Sequence, residues 1–305
     1  MTKTKSHYWF FVGLIGVLLA APNATVIKYS LGEIDPFLFN TLRFLAIALI
    51  TLPFLIKDRK LINKTNFKQA ILAGFFMAAA VMSYVWGIKL SQASYVSIVT
   101  LITPIIFILL SAKLTGEKIS NKSVAGITIA AIGALIIIVL PVALKQSGEF
   151  IFYPLATLFI LLNCISFPLA MIYFKKSNES GIPMPSLLSI SSFVVCISNA
   201  MFLGTVKNTQ VINGKVIFGI IYSGIVVALI SRALNLASYE HIGSVVVSAL
   251  NYLETLVAIL LPIIILDEKL STEMVIGGIL ILIGVYVVEY HKSAHHKHHH
   301  AFRSH

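Results

Sequence analysis

The chain has 305 residues, 58 % of them hydrophobic and 11 % charged, with a mean hydropathy of +0.92 and a formal net charge of +11. Soluble domains average about 25 % charged residues, so the composition excludes a soluble globular protein and points to an integral membrane protein. A basic excess of this size would also suit nucleic acid. Here the lysines and arginines stand in short connections between apolar runs, where they set topology and meet anionic lipid headgroups, and nucleic acid is excluded as a partner.

Ten apolar segments of spanning length follow one another. The first, Tyr8–Lys28, is interrupted by Pro22 and Asn23 and is longer than the core of a signal peptide, so it is expected to remain in the protein. Segment two, Pro36–Ile56, carries Asn40 and Arg43. Segment three, Phe67–Lys89, carries Tyr84 and Trp86 near its end, and segment four, Ala93–Ala112, carries Tyr95 and Pro104. Val124–Leu144 completes a first half spanning residues 8–144. A second half over residues 150–290 consists of Phe150–Phe174, Met184–Val206, Val216–Asn235, Ile242–Leu266 and Met274–Tyr290. These hold in turn Asn163 with Pro168, Asn199, Tyr222, and Asn251 with Glu254. The two cysteines, Cys164 and Cys196, lie inside apolar runs and are read as buried small hydrophobes. Residues 291–305 form a tail with seven histidines, expected to be disordered and able to hold a divalent metal only weakly.

The two halves share a repeat. Thr115–Ser120 reads TGEKIS and Leu266–Ser271, 151 positions later, reads LDEKLS; at the same offset Gly126 falls on Gly277 and Gly133 on Gly284. With a cytoplasmic N-terminus, sixteen of the 23 basic residues fall inside, six outside, and Arg43 within the membrane. The positive-inside rule therefore places both termini in the cytoplasm. Five segments per half is an odd number, so the second half enters from the opposite side. The expected fold is an all-α membrane protein of ten transmembrane helices, two inverted-topology five-helix repeats around a central cavity, in the cytoplasmic (inner) membrane. That architecture places a ligand near the midplane at the repeat interface. Pro22 and Pro168 interrupt segments one and six, and with Pro104 they are the expected hinges.

An ordered set of motifs then carries a family resemblance. Arg43-Phe44 in segment two, Pro104 in segment four, Leu253-Glu254 in segment nine, and a Glu-Lys turn after segments four and nine occur together, each turn followed by two glycines seven residues apart. Together they resemble the EamA-type ten-helix drug/metabolite exporter family, over about Trp9 to Tyr290. The resemblance implies a basket of helices with segments five and ten at its periphery. It also implies a transporter that moves small metabolites, amino acids or drug-like compounds, mostly outward, with uptake carriers and exchangers among the relatives. Thr255 stands where the family usually has proline after the Leu-Glu pair, so segment nine is expected to be straighter than in relatives.

Glu254 is the only carboxylate deep within a span, Glu289 standing one residue from the end of the last. An ionisable group at that depth costs roughly 2.5–3.5 kcal/mol on insertion scales and marks a functional site by default. Arg43, about 10 Å deep at 1.5 Å per residue, is its counter-charge, a substrate contact, or a packing arginine. Asn23, Asn40, Asn163, Asn199, Asn251, Tyr84, Trp86, Tyr95 and Tyr222 are candidate cavity residues. Their bland alternatives are interhelical hydrogen bonding and, for Tyr84, Trp86 and Tyr95, an interfacial aromatic belt. Arg232 and His241 are read as interfacial, flanking the turn between segments eight and nine. With no histidine or acidic dyad inside the spans, no catalytic or metal site is expected, and neither is a cofactor. A Walker-type phosphate loop is also missing from the sequence. An intramembrane enzyme and a non-transporting scaffold remain as weaker alternatives. One Glu and one Arg fit an amino acid or another zwitterionic metabolite as the small-molecule partner, with Glu254 coupling transport to protons. Small residues in segments five and ten suit either a homodimer contact or packing inside one chain.

Overall fold

The computed structural model describes the backbone of residues 3–115, 121–143, 153–206, 211–242 and 244–301; within these, the side chains of 3–6, 108, 111–112, 115, 121–123, 138–143, 236, 239–249, 251–252 and 288–301 are not described. Ten helices follow the ten apolar segments. α1 runs Lys3–Ala20, breaks at Ala21 and Pro22, and resumes as Asn23–Ser30; α2 is Pro36–Lys57 and α3 Lys64–Leu90. α4 consists of Ala93–Val99, a 3-10 turn at Thr100–Ile102, and Thr103–Thr115 with Pro104 in its first turn. α5 is Asn121–Ala143, α6 Pro154–Glu179 and α7 Met184–Ala200. α8 passes from Gly214–Ile221 through a π-helical stretch, Tyr222–Ser231, into Arg232–Ile242. α9 is Ser244–Leu266 and α10 Thr272–Ala301.

The helix starts are written in the sequence. Asp35 accepts a 2.7 Å bond from the Phe37 amide with Pro36 in the first helical position, and Asn63 and Asn66 form a reciprocal capping box at α3. Asn213 caps α8 in the same way through the Lys215 and Val216 amides.

Helix pairing displays the repeat as a pseudo-two-fold axis. α2 packs on α7, α4 on α9 and α5 on α10, three pairs that the axis maps onto themselves; α3 on α6 and α1 on α8 are exchanged by it. The starts of α3 at Lys64 and of α8 at Gly214 are 150 residues apart, close to the 151 between the two Glu-Lys turns of the sequence. Helices 5 and 10 meet through glycines on both sides. A Cβ on Gly133 would lie 2.6 Å from the Gly277 carbonyl oxygen, one on Gly277 2.6 Å from that of Gly133, and one on Gly284 2.5 Å from that of Gly126. Backbones this close require glycine. The small residues of these two helices are thus used within the chain. Outward faces are apolar, with Ile264 75 % and Leu158 63 % exposed, as lipid contact demands.

Two expectations change. α6 runs without interruption through Pro168, unlike α1 at Pro22. One proline removes a single i→i−4 bond, and the 26-residue α6, packed along α3, keeps its helical path around that loss. The expected disordered tail instead continues α10 to Ala301, since after Tyr290 the sequence offers no glycine or proline to stop a helix. α9 is continuous past Thr255, in line with the missing proline there.

Candidate functional site

Extension of α8 to Ile242 relocates Arg232. It stands ten residues before Ile242, and Glu254 ten residues after Ser244, each about 15 Å along its helix from that residue at 1.5 Å per residue. Arg232 therefore lies within α8 rather than beside a turn, as far along α8 from Ile242 as Glu254 lies along α9 from Ser244. The Arg232 side chain is exposed, with the guanidinium carbon 5.6 Å from the Phe167 ring centre on α6. Glu254 and Arg232 are within electrostatic range of each other, and so are Arg232 and Arg43. Tyr84 of α3, half-buried, interacts with both Arg43 and Glu254. Groups from α2, α3, α6, α8 and α9 thus converge.

Arg43 is 6 % exposed and held in place from several directions. Its Nη2 donates 3.2 Å to Asn40, whose amide donates 3.3 Å to Asn199 on α7, and Asn199 donates 2.8 Å to the Val195 carbonyl. The guanidinium carbon lies 4.8 Å from the Phe44 ring centre and 5.6 Å from that of Phe39. Gly224, in the π-helical stretch of α8, leaves room for it, since a Cβ there would be 3.1 Å from the Arg43 Cγ. The Arg43 Nε is buried with no hydrogen-bond partner. The pairing of Arg43 with Glu254 that the sequence suggested is not made. Among the described residues the ion pairs are Lys175–Glu179 and Lys215–Glu33, both exposed and worth little.

The other candidates divide by what they touch. Asn163 donates 2.9 Å to the Ala80 carbonyl and Tyr95, fully buried, shares a 2.7 Å bond with Thr157; both join α6 to its neighbours. Tyr222 donates 2.9 Å to the Leu19 carbonyl, just before the break at Pro22. Trp86 lies beside Phe159 and Phe37 in an apolar groove of about 600 Å³ with Phe202 and Phe75. The Asn23 Oδ1, immediately after the break in α1, is buried without a partner. The Asn251 and His241 side chains lie outside the described residues.

A second polar cluster closes one end of the bundle. Glu268 of the LDEKLS turn accepts from the Ala93 and Ser94 amides, both at 2.8 Å, and from the Ser94 hydroxyl at 2.6 Å, capping the start of α4. Lys28, at the end of α1, donates 2.9 Å to the Ile88 carbonyl of α3 and also to Ser91, while Lys89 of α3 donates to Leu31 of α1. A hollow of about 450 Å³ lies among Lys28, Lys89, Tyr153 and Glu268. Neither hollow includes Arg43, Arg232 or Glu254.

A sequence model described as the EamA-like transporter family matches residues 7–139 and again 154–290, one match per half. The chain belongs to the EamA-like transporter family. It is a multi-pass membrane transporter and not an enzyme. This EamA protein is 23 % identical over 291 residues to a probable amino-acid metabolite efflux pump of Salmonella typhimurium, covering 91 % of this chain and 93 % of the relative. It is 23 % identical over 261 residues to an uncharacterized transporter of Clostridium kluyveri, 83 % of each chain. A WAT1-related protein of Arabidopsis thaliana matches at 24 % over 241 residues, 69 % of this chain and 64 % of the relative. A crystal structure with 18 % identity aligns at a TM-score of 0.61 over 92 % of this EamA chain and 96 % of the other, a likeness of fold.

Proposed function

We propose that this EamA protein is a proton-coupled secondary transporter that exports small amino acids or related zwitterionic metabolites by alternating access. The observation that carries the reading is that Glu254 is within electrostatic range of Arg232, and Arg232 of Arg43, on helices of both halves. A zwitterion needs one fixed cation and one fixed anion. Its carboxylate would meet a guanidinium, and its ammonium the Glu254 carboxylate. A proton arriving at Glu254 from outside removes the negative charge that holds the ammonium, so proton and substrate compete for one group. Competition of this kind, with rocking of one half against the other, exchanges inward protons for outward substrate. The family match and the Salmonella relative support export of small metabolites.

Both termini are assigned to the cytoplasm of an inner-membrane protein. With Arg232 moved into the membrane, fifteen basic residues still lie inside against six outside. Membrane lipids would cover the apolar outer faces. The test uses purified protein in proteoliposomes, wild type beside Glu254→Gln, with labelled amino acids and an imposed pH gradient. Gradient-driven movement by wild type and gradient-independent movement by the variant are expected. Equal responses to the gradient would make Glu254 structural and refute the coupling.

A further inference from the structure

Two hollows of ligand size adjoin at one end of the bundle, one polar and one apolar. The polar one, about 450 Å³, has Lys28, Lys89, Tyr153 and Glu268 in its wall; the apolar one, about 600 Å³, runs along α3 beside α2, α6 and α7. Leu90 lines both, and Tyr153 of the first stands two residues before Leu155 of the second, at the start of α6.

The polar hollow carries an excess of positive charge. Lys28 donates to the carbonyls of Ile88, Lys89 and Ser91, and Lys89 to that of Leu31. Neutral carbonyls occupy the ammonium hydrogens but do not cancel their charges. Glu268 supplies one negative charge, already engaged by the Ala93 and Ser94 amides and the Ser94 hydroxyl. Two ammoniums and one carboxylate leave the described lining positive by one.

The groove faces lipid. Phe75, Ala79, Met82, Trp86 and Leu90 follow one another at four, three, four and four residues and so share one face of α3. Phe75 is 57 % and Leu155 54 % exposed. Phe75 to Leu90 is about 22 Å at 1.5 Å per residue, longer than one leaflet's share, about 15 Å, of the hydrocarbon core. Trp86 packs on Phe37 and Phe159 with ring centres 5.4 and 6.2 Å apart, which makes the wall rigid.

We propose that the two hollows form one site for a phospholipid whose headgroup carries a single net negative charge, its phosphate at Lys28 and Lys89 and one acyl chain along the α3 groove. A phosphodiester brings the one negative charge that balances the hollow, and its oxygens are strong acceptors for ammonium donors. A zwitterionic headgroup adds a third cation beside two. A soluble anion leaves the groove unused, and a purely apolar ligand leaves the lysines unanswered. Lys28 of α1 already holds α3 and Lys89 of α3 holds α1, so a phosphate shared between them is a further tie between these helices.

Delipidated protein in a neutral detergent would be titrated with phosphatidylglycerol or phosphatidylcholine of the same acyl chains, with bound lipid counted by native mass spectrometry beside the melting temperature. Wild type is expected to hold one phosphatidylglycerol per chain, about tenfold tighter than phosphatidylcholine, and to melt higher with it. Lys89→Gln should lower that ratio about fivefold, the share of one lysine at an anionic headgroup, and Lys89→Arg should keep it. Ala79→Phe fills the groove and should weaken both lipids alike, as should Leu155→Trp at its exposed edge. Equal binding of the two lipids by wild type, or a ratio unmoved by Lys89→Gln, overturns the proposal. So does lipid binding unaffected by either filling variant. Glycerol 3-phosphate raising the melting temperature as far as phosphatidylglycerol would mean a soluble anion and overturn the lipid. A spectrum of dimers without lipid would assign the groove to a second copy and overturn it too.

Discussion

Replacement of Glu268 by alanine tests the link between the repeat and the packing of α4. The carboxylate is 9 % exposed and accepts three bonds of 2.6–2.8 Å, two of them from the free amides that open α4. Hydrogen bonds to a charged group contribute about 1.5–3 kcal/mol each, and loss of a helix cap costs about 0.5–2 kcal/mol. The three bonds share one acceptor and are not additive, so Glu268→Ala is expected to cost about 3 kcal/mol. Glu268→Gln should recover less than half, because its NH2 would face an amide that also donates. Ser94→Ala removes one bond and leaves both amides satisfied, for about 1 kcal/mol. Thermal unfolding in one detergent, run as a double-mutant cycle, reads these values. The double variant should be scarcely worse than Glu268→Ala alone, because the Ser94 hydroxyl has lost its acceptor already. A Glu268→Ala protein within about 0.5 kcal/mol of wild type, the range of ordinary surface changes, would refute the reasoning.

Other outcomes follow from single contacts. Gly277→Leu should abolish a monodisperse peak in size-exclusion chromatography, since even a Cβ there meets the Gly133 carbonyl oxygen at 2.6 Å, whereas Gly32→Ala, whose Cβ would have only the Tyr29 carbonyl at 3.8 Å, should behave as wild type. Asn40→Ala and Asn199→Ala should each destabilise by about 1–3 kcal/mol, with the double change far from additive because they share a bond. Asp267 holds a left-handed φ of 53° where the first repeat has Gly116, so Asp267→Gly should melt at or above wild type and Asp267→Val below it.

The ten spans and the repeat with its glycines were legible because each is local or periodic, as apolar runs of membrane length or a fixed offset, whereas the use of those glycines within one chain needed the helix pairing. Glu254 stood out for the same reason, as a lone acid in an apolar run. Arg232 did not. Its reading depended on where α8 ends, and the polar run Asn235–His241 looks like a turn while it forms helix up to Ile242. The partner of Arg43 was equally hidden, since the Asn40–Asn199 bond joins residues 159 apart and nothing in either segment marks the other. Proline misled in one place, because Pro22 and Pro168 look alike in sequence and only the first breaks its helix.

The duplicated scaffold and the single site obey different rules. The Glu-Lys turns after α4 and α9 are 151 residues apart in sequence, the starts of α3 and α8 150, and those of α2 and α7 148. At those offsets Glu254 falls on Thr103, Arg232 on Met82 and Arg43 on Ser191. None of the three charges is repeated, although the glycines of the crossing helices and the acid of each Glu-Lys turn are. The close backbone contacts between α5 and α10 need glycine from both halves, and the repeat supplies it in both. In the proposed site a ligand would meet one copy of each charge. The asymmetry of the charges within a repeated frame accords with the proposed site, in which a substrate polar at both ends would be held by charges that are each supplied once.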